Sequence, residues 1–133
     1  MIAFGGSDGT TNFSDIWVLT NANAQGGTPA WIALPTGTAT VPEGQEGHTA
    51  VYDPVSDTMT IFGGIGLPAE TWTAANASGL TQPPVWKLAN AGNGIDARTW
   101  ESAVLDISSL SMTVFGGLTN ELVNSAIVLS PVL

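Results

Sequence analysis

Thr58–Gly64 reads TMTIFGG, and 53 residues later Ser111–Gly117 reads SMTVFGG. A shorter form, MIAFGG, stands at Met1–Gly6. Each is an apolar, β-branched run closed by two glycines. The phenylalanines Phe4, Phe62 and Phe115 therefore set a repeat with spacings of 58 and 53 residues. Its glycine pairs are Gly5 and Gly6, Gly63 and Gly64, and Gly116 and Gly117. Self-similarity at this period marks a chain built from stacked supersecondary units.

Two longer units follow from that phase. In the first, Trp17 and Trp31 are 14 residues apart, and in the second so are Trp72 and Trp86. A full unit holds four strand-like segments, shown best by HTAVYD (His48–Asp53), TMTIF (Thr58–Phe62), TWTAA (Thr71–Ala75) and VWKLA (Val85–Ala89). Their β-branched and aromatic content favours strands, and no segment carries a helical stripe. DPVSD (Asp53–Asp57) between the first two is a tight-turn signal. TMTIFGG alternates threonine with Met59 and Ile61 at the period of a strand. A sheet of about four strands cannot bury both faces alone, and stacking copies solves that problem. The phenylalanines are then expected to anchor neighbouring sheets. The glycines serve where the backbone turns sharply or another segment comes too close for a Cβ.

At these residues the chain resembles the kelch repeat, in the long form found in bacterial proteins. The stretch that carries the resemblance is HTAVYDPVSDTMTIFGG with DIWVLT and the tryptophan 14 residues on. The resemblance covers nearly the whole chain and implies an all-β, kelch-type β-propeller. About two and two-thirds four-stranded antiparallel blades are present: a partial blade over 1–35, a complete one over 48–89 and a partial one over 101–130. Kelch repeats of this form carry an arginine shortly before the first-strand histidine. Here Gln45 precedes His48, whereas Arg98 is kept but Glu101 replaces the histidine. Leu105 replaces Tyr52, and Ile127 stands where Trp17 and Trp72 do. Closed kelch propellers have six or seven blades. The chain is thus expected to be a fragment of a longer propeller, to self-associate through its open edge blades, or to remain an open arc.

Composition removes several function classes. The net charge is −9 over 133 residues, with Lys87 and Arg98 alone on the basic side. Nucleic-acid binding needs clustered basic residues to displace counterions from phosphate, so nucleic acid is not an expected partner. There is no cysteine, which excludes disulfides, zinc-thiolate sites and a cysteine nucleophile. No apolar run approaches the roughly 20 residues of a membrane-spanning helix, and MIAFGGSDG lacks the marks of a signal peptide. The low charge and the Thr, Asn, Gly and Ala content point to the surface or exterior of a bacterium. Asn12–Ser14 and Asn76–Ser78 match the N-glycosylation pattern, which matters only in a eukaryotic secretory pathway.

Few residues could carry chemistry. His48, the only histidine, has no partner visible in the sequence and reads as the start of an inner strand. Asp8, Asn12 and Asp15 offer oxygen ligands for calcium, but without the EF-hand spacing, and read equally as a solvated turn. Glu43, Glu46 and Asp96 lie on loops entering two blades and read as surface charge or as paired carboxylates. Trp17, Trp31, Trp72 and Trp86 follow the repeat and are read as packing residues. Trp100 does not follow it, standing where the other unit has Gly47, and a lone loop aromatic suits a sugar ring or a protein partner. The expected binding residues are accordingly Trp100, Arg98 and His48, with no catalytic residue, metal or cofactor assigned. The resemblance implies a module that recognises a protein or carbohydrate through loops. The alternatives are part of a kelch-propeller enzyme, carbohydrate-active or oxidase-like, with its catalytic residues in other blades, and a purely structural scaffold. The copper-oxidase form needs Tyr, His and Cys residues that one tyrosine, one histidine and no cysteine do not supply.

Overall fold

The structure, a computed structural model, describes residues 1–36 and 40–130. Residues 37–39 of the Thr36–Gly47 stretch and residues 131–133 lie outside the described residues. The segments expected to be strands are strands: β1 Ile2–Ser7, β2 Asn12–Thr20, β3 Ala30–Leu34, β4 His48–Asp53, β5 Thr58–Gly63, β6 Thr71–Ala75, β7 Val85–Asn90, β8 Ser102–Asp106, β9 Ser111–Phe115 and β10 Ala126–Leu129. They form three antiparallel sheets, β1-β2-β3, β4-β5-β6-β7 and β8-β9-β10. The protein is all-β, with no helix among the described residues.

Local chemistry closes the hairpins in the same way twice. The Asp53 carboxylate accepts from the Val55 amide at 2.9 Å and the Ser56 hydroxyl at 2.7 Å. Asp106 accepts from the Ser108 amide at 2.9 Å and the Ser109 hydroxyl at 2.8 Å. The Ser108 hydroxyl, which donates to Asp106 at 2.6 Å, together with the Ser109 hydroxyl and the Ser108 amide, holds the Asp106 carboxyl down at about 2, because these bonds stabilise its charged form. Asp57 and Leu110 finish the two turns at φ of 52° and 53°, a conformation an aspartate tolerates better than a leucine.

The sheets stack face to face. Phe4 and Ile16 of the first sheet bury against Met59, Ile61, Ala74 and Trp86 of the second. The Phe4 ring meets Trp86 edge-on at 4.9 Å, a favoured aromatic geometry. On its other side the second sheet buries Phe62 and Ala69 against Met112, Val114 and Leu129 of the third. All six residues of β5 are consequently buried. Both faces of TMTIFGG are covered, as stacking of copies requires. Thr58 and Thr60 are buried because a sheet covers each side of the strand.

The outer two sheets each leave one face open. Trp17 and Trp31 hold the repeat positions of Trp72 and Trp86, yet Trp31 is 49% exposed where Trp86 is 5% exposed. Phe115 is 55% exposed where Phe4 is 7% and Phe62 is 0% exposed. The packing role expected of these repeat residues is therefore filled only where a neighbouring sheet is present.

The glycine doublets meet both conditions expected of them. All six glycines have positive φ, including 62° at Gly5 and 78° at Gly63. A Cβ on Gly5 would lie 2.7 Å from the Gln45 carbonyl oxygen, and one on Gly63 would lie 2.6 Å from that of Arg98. The following amides donate to those same carbonyls, Gly6 to Gln45 at 2.8 Å and Gly64 to Arg98 at 3.1 Å. Each doublet thus lets the backbone of the next repeat close on it. Gly116, with no sheet beyond it, has only the Val123 carbonyl nearby, at 3.6 Å.

A pair of alanine substitutions separates close approach from backbone strain. Gly66 has φ of 73° but open space around it. Gly66→Ala is expected to cost about 1 kcal/mol, the left-handed penalty alone. Gly63→Ala adds a clash with backbone and is expected to cost at least about 3 kcal/mol. Urea unfolding of both variants measures the difference.

Candidate functional site

The loops at one end of the second and third sheets surround a cleft of about 600 Å³, within the range of small-ligand sites. Three segments build it: Gly64, Gly66 and Leu67 after β5, Asp96–Thr99 before β8, and Leu118–Glu121 after β9. The doublets place two of these segments, since Gly64 and Gly117 lead directly into them. A bridge between Thr99 and Leu118 ties the second segment to the third. Hydrogen-bonding side chains dominate the rim: Asp96, Thr99, Thr119, Asn120 and Glu121.

Trp100 sits at the end of the Asp96–Thr99 segment. It is 65% exposed, and its φ is 60°. Its amide donates to the Gly47 carbonyl at 2.8 Å, and the Thr99 hydroxyl donates to the same oxygen at 2.9 Å. Gly47, its repeat counterpart, has φ of 69°. The position therefore calls for a left-handed residue in both repeats, and the second fills it with a bulky aromatic held in solvent. Strain of this kind is kept where the surrounding structure enforces it.

Arg98 lies under the cleft wall and is 95% buried, being 5% exposed. Its Nη1 donates to the carbonyls of Gly116 at 3.2 Å and Ser125 at 3.4 Å. It braces the third sheet and lends positive potential, while its buried Nε has no partner. His48 lies at the other interface, edge-on to Phe4 at 5.5 Å. Burial lowers its pKa, which favours the neutral ring. Arg98 and Trp100 thus share one loop, whereas His48 belongs to a different contact. Asp96 borders the cleft but Glu43 borders a separate depression beside Trp72. Asp8 closes its own turn, accepting from Thr10 and Thr11 amides at 2.8 Å, and Asp15 accepts from the Trp17 indole at 2.6 Å. Among the described residues no three His, Cys, Asp or Glu side chains gather as a metal site. A second, more apolar cleft of about 490 Å³ lies between the first two sheets, lined by Met1, Ile2, Val18, Val51, Tyr52 and Met59 among others.

In the sequence Glu101 stands out only as a departure from histidine. It occupies the place of His48, 53 residues on, and lies against Gly63 as His48 lies against Gly5. Both its carboxylate oxygens are buried, and no other side chain bonds to them. Burial pushes its pKa up to about 7, and its own backbone amide, the nearby Arg98 charge and the Thr49 amide only partly offset that. The 53-residue offset from the histidine was the signal that could have located it.

No protein-family model matches the chain, and no curated protein matches it.

Glu101 gives the protein a pH dependence of definite sign. Its folded pKa is raised, so its contribution to stability is complete below the unfolded value near 4.5 and is lost as pH rises to about 7. Glu101→Gln is expected to remove this decline and to gain on the order of 2 kcal/mol at pH 8. Unfolding free energies of both proteins at pH 4.5 and pH 8 provide the check.

Proposed function

We propose that the chain is a kelch-type stack of propeller blades acting as a recognition module, with a carbohydrate as the ligand class its cleft fits best. The kelch reading is supported by the threefold doublet, the repeated tryptophan spacing and the two equivalent doublet–carbonyl contacts. The observation that carries the binding reading is Trp100, an exposed aromatic in a strained conformation that directly follows Thr99, a residue of the cleft rimmed with hydroxyl, amide and carboxylate groups. Those rim groups can bond to sugar hydroxyls, and an indole offers a flat apolar surface for the C–H face of a pyranose. A protein ligand would use the same loops and is the second reading.

The test is calorimetric titration of the chain with a panel of neutral oligosaccharides. Saturable binding with a Kd on the order of 1 mM or tighter is expected. Trp100→Gly should weaken it about tenfold or more, the equivalent of roughly 1.4 kcal/mol. The same variant should leave the melting temperature unchanged or raised, because glycine relieves the left-handed strain. Absence of saccharide binding, or binding indifferent to Trp100→Gly, overturns the reading.

A further inference from the structure

The two open sheet faces are complementary to each other. The open face of the first sheet carries Trp17 and Trp31, the repeat counterparts of Trp72 and Trp86. The open face of the third carries Phe115, Val104 and Val128, all exposed. Phe115 is the counterpart of Phe4, and Phe4 is the residue that docks on Trp86. The chain thus contains, once assembled and once unassembled, the two halves of one interface.

We infer that copies of this chain associate head to tail, with Phe115 of one seated against Trp17 and Trp31 of the next. The acceptor side is prearranged. The Trp17 indole N–H is held by Asp15 at 2.6 Å, as that of Trp72 is held by Glu70 at 2.8 Å in the assembled interface. Beneath it, Ala3, Trp17 and Trp31 line a shallow, wholly apolar hollow of about 390 Å³. The donor side tolerates burial as well. Asp106 keeps its turn bonds to Ser108 and Ser109, and its counterpart Asp53 stays buried in the covered sheet with equivalent bonds. Because different faces meet, the contact is heterologous, running as a ring or an open filament. The net charge of −9 on each copy opposes it, so added salt strengthens it by screening. The inference rests on the sheet faces alone and is independent of any ligand in the loop cleft.

Light scattering of the 133-residue chain, at rising concentration and ionic strength, reads the association. Masses above the 13.6 kDa of one copy are expected, increasing with both variables. Phe115→Asp, and separately Trp17→Ala with Trp31→Ala, should each lower the association constant at least tenfold. The decisive step mixes the two variants. Each retains one intact face, so a head-to-tail contact restores a 1:1 dimer that neither forms alone, which also shows that both are folded. A wild-type chain that stays at the mass of one copy overturns the inference. So does an oligomer that ignores these substitutions, or a mixture that recovers no dimer.

Discussion

The stack depends on how closely one repeat's backbone can approach the glycine doublet of the repeat before it. Gly5 and Gly63 each face a carbonyl oxygen at a distance no Cβ could share, and the next amide in each doublet bonds to that same oxygen. A bonded approach of this kind fixes the spacing between sheets before side chains decide how well they fill it. Phe4 and Phe62, one residue earlier, are thereby set at the depth where they meet Trp86 on one side and Met112 and Val114 on the other. The loops that leave the doublets inherit the same positions, and the cleft beside Asp96 and Asn120 is their consequence.

Buried polar groups show what this closeness costs. Glu101 sits against Gly63 with its carboxylate buried, and burial raises its affinity for a proton. Its counterpart His48 occupies the equivalent space as a ring, with Phe4 against its edge. The same location in two repeats thus holds two ionisable groups, both shifted toward their neutral forms by burial. Arg98 carries the opposite compromise, spending one nitrogen on two carbonyls of the third sheet and leaving Nε unbonded.

Much of the strand layout was legible in the sequence, because each strand is short, rich in β-branched residues and bounded by turn chemistry such as Asp53–Asp57. Burial was less legible. The alternation of Thr58 and Thr60 with Met59 and Ile61 marks a strand, but that the threonines are as buried as the apolar residues depends on a sheet lying on each side. The tryptophans were recognised as packing residues, but whether a neighbour covers them is a property of the stack, so Trp31 and Trp86 end in opposite environments. At the candidate site, Trp100 stood out as an aromatic in a glycine position, and its left-handed backbone gives that mismatch a physical meaning. Arg98 was visible as a residue but not as a brace. The burial of Glu101 depends on a contact with Gly63 that no local pattern encodes.

Amide hydrogen exchange resolved to single residues tests the doublet contact most directly. Gly6 follows the irregularity in the β1–β2 pairing and Gly64 lies just beyond β5, and their amides donate to the Gln45 and Arg98 carbonyls of the next repeat, which are expected to protect them. Protection of both amides comparable to that of Ile61 and Phe62 in β5 is the expected result. Exchange of Gly6 and Gly64 at the rate of an open loop, with β5 still protected, would show that the sheets fold without the doublet contact and would contradict it as the basis of the stack.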